Sequence, residues 1–212
     1  MRSSGGVRLA GLVASAALGI LLFPAIARAE WHITPMLGTS FAGRTTLVNP
    51  QLGVAKRHLT LSGAATLLGA GVIGGEALLV FTPGFFQTKQ SPLAEVPSVK
   101  IESSRAVALM ANVVITTPRR LTEYSLRPFV SAGVGLLHTS QTQEVDLLPP
   151  LRAKMPGYNV GGGAVGFLTA RTGVRFDLRY YSTLRATIQE GAAIGPARLH
   201  YMTASVGVVL RR

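Results

Sequence analysis

The sequence predicts an all-β fold: a transmembrane, antiparallel, up-and-down β-barrel of about eight strands, preceded by an N-terminal signal peptide. Three features support this prediction: strict alternation of apolar and polar residues, the length of the alternating stretches, and the rhythm of the connections between them. Residues 1–29 form the predicted signal peptide, and residues 30–212 form the predicted barrel domain.

The first 29 residues have the three parts of a secretory signal peptide. Arg2 and Arg8 lie in a basic segment, an apolar run follows, and Ala-Arg-Ala at positions 27–29 matches a small-residue cleavage site. An uncleaved membrane-anchor helix is the alternative, because the segment is long enough to span a bilayer. Cleavage would remove three arginines and no acid, which lowers the formal charge from +12 to +9. We expect a mature chain outside the cytoplasm, so nucleic acid is not an expected partner.

The composition excludes several classes of site. The chain has no cysteine, so it has no disulfide framework, thiolate metal site or cysteine nucleophile. With 48% apolar and 14% charged residues, the chain is apolar for a soluble protein.

Residues 172–184 show the alternation most clearly. Val174, Phe176, Leu178 and Tyr180 fall on one parity, and Arg175, Asp177, Arg179, Tyr181 and Thr183 fall on the other. A period of two residues separates these sets onto the two faces of a strand, whereas a helical period would mix them.

Seven further stretches alternate in the same way, and each gives one predicted strand. In chain order they are 30–41, 58–68, 72–82, 105–116, 128–138, 158–169 and 198–210. Each has about the ten residues that a tilted strand needs to cross a bilayer. In the first, Trp31 and Ile33 oppose His32 and Thr34, and in the last, Met202 opposes Tyr201.

The connections between these stretches alternate between long and short. They run 42–57, 69–71, 83–104, 117–127, 139–157, 170–172 and 185–197. An outer-membrane barrel with both termini on one side has this rhythm, because its outer loops are long and its periplasmic turns are short. A soluble secreted β-domain stays an alternative, because alternation alone does not identify the solvent. A transmembrane helix over 59–82 is disfavoured by its five glycines.

Two segments carry a family resemblance. RPFVSAGVGLL at 127–137, and YNVGGGAVGFLTARTGVRFDLRYYSTL at 158–184, resemble the small bacterial outer-membrane β-barrel domain, the eight-stranded porin-like and opacity-like surface proteins. The resemblance implies the outer membrane of a Gram-negative-type bacterium, contact with outer-membrane lipid and lipopolysaccharide, insertion by the barrel-assembly machinery, and a monomer. One departure is the ending VVLRR, where such barrels usually end on an aromatic residue.

The polar parity supplies a candidate lumen cluster. Arg175, Asp177 and Arg179 are predicted to point inward, together with His58, Glu76, Asn112 and Asn159. The cluster could be a selectivity ring, as in wide porins. A salt-bridge plug is favoured, because side chains just fill the interior of an eight-stranded barrel. We therefore expect a non-enzymatic outer-membrane barrel with a structural or surface-interaction role, and a narrow channel as the alternative.

One motif suggests catalysis. His138 and Ser140 share the outward parity, with Glu144 nearby, and resemble the His-x-Ser pair of the lipid A deacylase, an enzyme on a small outer-membrane barrel. A base oriented by a third group can activate a serine. The flanking residues differ, however, because Gln141-Thr142 stand where that family has Asn-Ala. We expect rim residues rather than a catalytic pair.

Two glycine motifs match a dinucleotide-binding pattern, at 69–74 and 161–166. Neither opens a credible helix, which a pyrophosphate site needs. The sequence therefore predicts no catalytic, cofactor-binding or metal-binding residues and no cofactor.

Overall fold

The computed structural model describes residues 30–45, 57–68, 72–85, 101–118, 126–143, 151–184 and 198–212. The predicted signal peptide lies outside these residues and stays a prediction. The described residues form eight strands: β1 (Glu30–Thr45), β2 (His58–Leu68), β3 (Ile73–Pro83), β4 (Ile101–Thr116), β5 (Arg127–Gln143), β6 (Leu151–Phe167), β7 (Thr172–Thr183) and β8 (Leu199–Arg211).

The strands close into one barrel. Each strand pairs antiparallel with the next, and β1 pairs with β8 to complete the ring. At the closure, the Trp31 N–H donates to the Arg212 carbonyl at 3.3 Å, and the Arg212 N–H donates to the Trp31 carbonyl at 3.0 Å. Both ends of the barrel domain therefore lie at the same end of the barrel. The predicted eight-stranded antiparallel barrel is confirmed.

The connections keep the predicted rhythm except at one place, because 144–150 is shorter than 117–126. The strand ends that flank 69–72, 117–126 and 168–171 lie at the end that holds the termini. The strand ends that flank 46–57, 84–100, 144–150 and 184–198 lie at the opposite end. We call the first the inner end and the second the outer end, because long loops of such barrels face outward and short turns face the periplasm.

Four strands are longer than the sequence predicts. β1 has 16 residues and ends at Thr45 rather than at residue 41. β4 has 16 residues, and β5 and β6 have 17 each, so the predicted connection 139–157 shrinks to 144–150. At about 3.4 Å per residue and a tilt of roughly 40°, a 17-residue strand rises about 44 Å. The apolar band of such barrels is only about 25 Å tall. The prediction was wrong because hydrophobic alternation fades at the membrane surface, whereas backbone pairing continues beyond it.

The outward face of the barrel is apolar. Trp31, Leu61, Leu109, Val134 and Leu178 are each about half exposed, and they lie on five different strands. Soluble proteins rarely expose apolar patches larger than a few hundred Å². An apolar surface that surrounds the whole barrel is a lipid-facing surface, which argues against the soluble β-domain.

Residues 59–82 contribute β2 and β3, so the helix alternative for this segment is wrong. No helix in the described part of the chain is long and apolar enough to cross a membrane.

Candidate functional site

Four charged side chains meet inside the barrel. Arg175, Asp177 and Arg179 come from successive inward positions of β7, and Glu76 comes from β3. In the closed ring of eight strands, β3 and β7 are four strands apart, so the group spans the lumen from wall to wall. We call these four residues the charge cluster. All four are buried.

Each arginine of the charge cluster contacts both carboxylates. Asp177 Oδ2 accepts from Arg175 Nη2 at 2.6 Å, and Asp177 Oδ1 accepts from Arg179 Nε at 2.7 Å. From the opposite wall, Glu76 Oε2 lies 2.6 Å from Arg175 Nη1, and Glu76 Oε1 lies 2.7 Å from Arg179 Nη2. The charges alternate in a ring with no net charge. Such pairing offsets the large desolvation cost of buried ions.

Neutral polar side chains extend the charge cluster to three more strands and strengthen it. Asn112 Nδ2 donates to Glu76 Oε1 at 2.9 Å, and Asn159 Nδ2 donates to Asn112 Oδ1 at 2.6 Å. Arg179 Nη1 donates to Asn159 Oδ1 at 3.2 Å, which closes the circuit. Thr66 donates to Glu76 Oε2 at 3.1 Å. Hydrogen bonds from β2, β3, β4, β6 and β7 therefore meet in one network.

Glycines make room for these long side chains. A Cβ atom added at Gly133 would collide with Asn112, and one added at Gly161 would collide with Arg179. One added at Gly163 would strike the backbone of Phe176. At the inward positions of β5 and β6, glycine therefore leaves the space that side chains and backbone of the neighbouring strands occupy. This accounts for the G-x-G pattern of these strands.

The lumen on the outer side of the charge cluster is filled with apolar and aromatic side chains. Tyr181 and Tyr201 stack with ring centroids 4.9 Å apart, and Phe85 packs edge-on against Tyr201 at 5.1 Å. Phe85 follows β3 directly after Gly84, whose φ of 68° turns the chain. The remaining buried apolar residues of this layer include Leu78, Val80, Met110, Leu137, Met155 and Leu199. The predicted filling of polar and charged side chains was therefore incomplete.

A small cavity lies on the inner side of the charge cluster. Its volume is about 20 Å³, and its lining includes His32, Thr34, Thr66 and Arg175. His32 Nε2 and Thr34 Oγ1 are buried and have no hydrogen-bond partner within the described residues. A cavity of this size with unpaired polar groups in its wall suits one water molecule. Arg175 separates it from the other layers and stacks on Phe129 at 4.4 Å.

The predicted lumen residues divide into two groups. Glu76, Asn112 and Asn159 join the β7 residues in one network. His58 does not join it, because its ring lies beside Phe85 at 5.9 Å, near the outer mouth. Sequence reasoning missed Phe85, whose only signal was its position after a glycine at a strand end.

His138 and Ser140 face outward from β5, as predicted, but they are not brought into a catalytic arrangement. No hydrogen bond joins them in the described part of the chain, and His138 Nδ1 has no partner there. Glu144, the proposed third group, lies outside the described residues. Instead, His138 pairs across strands with Lys154 of β6, and Ser140 pairs with Arg105 of β4.

The glycine motif at 161–166 lies within strand β6, so its backbone is extended and opens no helix. Residues 69–71 of the other motif lie outside the described residues. Among the described residues, no group of three or more histidines and carboxylates is placed to hold a metal ion.

Solved structures of several bacterial surface proteins resemble this barrel. Neisserial surface protein A matches with a TM-score of 0.59 at 10% identity, over 86% of this chain and 97% of its own. Ail, the attachment invasion locus protein of Yersinia pestis, matches in its complex with the heparin analogue sucrose octasulfate. That match has a TM-score of 0.53 at 12% identity, over 87% of this chain and 99% of Ail.

The outer membrane protein OprG from Pseudomonas aeruginosa matches with a TM-score of 0.52 at 10% identity, over 87% of this chain and 96% of its own. This chain has the fold of the small outer-membrane β-barrels. The resemblance predicted from residues 127–184 is confirmed at the level of fold. No protein-family model and no curated protein matches the sequence.

Proposed function

We propose that this protein is a non-enzymatic outer-membrane β-barrel with a structural or surface-interaction role and a lumen closed by its own side chains. The observation that carries the proposal is the charge cluster, which joins opposite walls of the barrel through Glu76. Membrane barrels with about eight strands have an interior just wide enough for side chains to fill. The lumen is thereby blocked twice, by the charge cluster and by the aromatic layer outside it.

The outer end is the part available for interaction. β4, β5 and β6 rise above the expected height of the apolar band, so they carry their connections away from the membrane. Loops on a rigid scaffold are where binding functions concentrate. The fold neighbours include a protein described as a surface protein and one described as an attachment protein, which supports a surface role for this chain.

A narrow channel is the second candidate, and the inner cavity favours it because one side of the lumen already has room for a water molecule beside polar groups. The aromatic layer disfavours it, because Tyr181 and Tyr201 are each only 1% exposed. A hydrated path would have to pass both rings.

Planar-bilayer recordings of the refolded barrel test the proposal. We expect no stepwise ion conductance from the wild-type protein, because neither layer leaves a continuous water column. The matched variant replaces Glu76, Arg175, Asp177, Arg179, Tyr181 and Tyr201 with serine, and we expect it to conduct if it inserts. Stable conductance steps in the wild type would contradict the proposal and support the channel.

A further inference from the structure

A basic patch lies on the outward face at the outer end of the apolar band. It consists of Arg105 on β4, His138 and Ser140 on β5, and Lys154 on β6, which we call the rim patch. Arg105 lies directly opposite Ser140, and His138 lies directly opposite Lys154, so the four residues are neighbours on three adjacent strands. Arg105 and Lys154 are exposed, and His138 and Ser140 are half-buried between them.

The position of the rim patch along the barrel places it at the level of lipid headgroups. Along β5 and the residue before it, the outward residues from Leu126 to Leu136 are apolar or small, and the next two outward residues are His138 and Ser140. Ten residues at about 3.4 Å each, tilted by roughly 40°, rise about 26 Å. That height matches the apolar band of about 25 Å, so the rim patch begins where the hydrocarbon ends.

The described part of the outward face holds no acid that would compensate the charge of the rim patch. Among the outward side chains that the structure describes on the strands, none is a carboxylate. His138 Nδ1 also lacks a hydrogen-bond partner within the described residues. Strands β4 and β6 are about 10 Å apart, so the flexible Arg105 and Lys154 side chains can converge over the β5 residues between them. This group offers two cations, an imidazole and a hydroxyl to one anion.

We propose that the rim patch binds a phosphate group of an outer-leaflet lipid of the lipopolysaccharide type. Arg105 and Lys154 supply the charge, by the attraction that holds basic residues to anionic membrane surfaces. His138 and Ser140 supply hydrogen bonds from the barrel wall, so the His-x-Ser motif serves recognition rather than catalysis. The inference rests on the outer-membrane placement in the proposed function but not on the closed lumen.

Lipid titration of the purified, folded barrel in detergent tests this assignment, with native mass spectrometry as the readout. The probes are bisphosphorylated lipid A and the same lipid after enzymatic removal of its phosphates. We expect the dephosphorylated lipid to bind at least tenfold more weakly. For the double variant Arg105→Gln/Lys154→Gln, we expect a loss of about thirtyfold for the phosphorylated lipid, because each surface cation contributes about fivefold.

Two further variants control the test. Arg171→Gln removes an exposed arginine from the inner end, and we expect binding within twofold of wild type. His138→Ala/Ser140→Ala keeps both cations, and we expect a loss of several-fold. A different mobility of heated and unheated samples on a gel confirms that each variant is folded.

Equal binding of both lipids, or wild-type binding by Arg105→Gln/Lys154→Gln, would overturn the assignment. Competition by sucrose octasulfate without any preference for the phosphorylated lipid would also overturn it, because the rim patch would then bind soluble polyanions. Failure of the closed-lumen proposal appears separately, as conductance steps, and leaves this titration unchanged.

Discussion

Removal of the Glu76 carboxylate is expected to cost this barrel more stability than any other single loss of an acid among the described residues. Glu76 is 4% exposed and lies four strands from the arginines that it contacts. It accepts from Arg175, Arg179, Asn112 and Thr66. Glu76→Ala would leave a buried cluster with one excess positive charge and donors without their acceptor.

The expected magnitude follows from this geometry. Removing one partner of a buried ion pair costs about 3–5 kcal/mol, because the remaining charge stays buried. The unsatisfied amide and hydroxyl donors place Glu76→Ala near the top of that range. Glu76→Ala/Arg175→Ala leaves Asp177 paired with Arg179, so the cluster is neutral again. We expect the double variant to be about 2 kcal/mol more stable than the sum of the single effects.

Urea unfolding of the barrel in lipid vesicles or micelles measures these free energies. Glu30→Ala is the control, because Glu30 is partly exposed and lies 3.4 Å from Arg211 at the inner end. Its loss should cost less than about 1 kcal/mol, as for other exposed pairs. If Glu76→Ala costs no more than Glu30→Ala, or if the double variant shows no coupling, then the cluster does not hold the walls together.

Three further predictions concern the lumen, its glycines and the outward motif. Asp177→Ala should cost about 3–5 kcal/mol in the same unfolding experiment, with Glu76 as the remaining acid beside both arginines; a cost below 1 kcal/mol would contradict this. Gly161→Ala should lower the free energy of unfolding by about 1–3 kcal/mol, because its new methyl group meets Arg179. Gly63→Ala is the control and should be nearly neutral, because no atom lies near its Cβ position. Equal effects of the two substitutions would refute the packing account. Expression of the wild-type barrel should remove no acyl chain from the lipid A of the cells, and His138→Ala and Ser140→Ala should give lipid A of the same mass. A loss of an acyl chain that either substitution abolishes would establish the deacylase.

Much of the fold could be predicted because the alternation has one simple cause. Along β7, Phe176 and Leu178 face lipid while Arg175 and Arg179 face the lumen, and a period of two residues fixes that assignment before any contact is known. The partners of those arginines were harder to predict. Glu76 was expected to point inward, but whether it lies at the same height as the β7 arginines depends on the closure of the whole ring.

Other features depend on backbone geometry that composition does not encode. The outer extension of β5 and β6 follows from pairing between neighbouring strands, and its residues show weak hydrophobic alternation. Phe85 reaches the lumen only because the chain turns at Gly84. Tyr181 and Tyr201 stack because they are cross-strand partners, and this register is known only once β7 and β8 are paired.

Cysteine accessibility tests the central claim most directly, because the chain has no cysteine of its own. Thr203 and Val206 lie on β8 with opposite parity, the first buried at 3% exposure and the second 46% exposed. In lipid vesicles, Thr203→Cys should react with neither a water-soluble nor a lipid-soluble maleimide, and Val206→Cys should react only with the lipid-soluble reagent. Rapid labelling of Thr203→Cys by the water-soluble reagent would show an open lumen, and the same labelling of Val206→Cys would show that this face does not contact lipid.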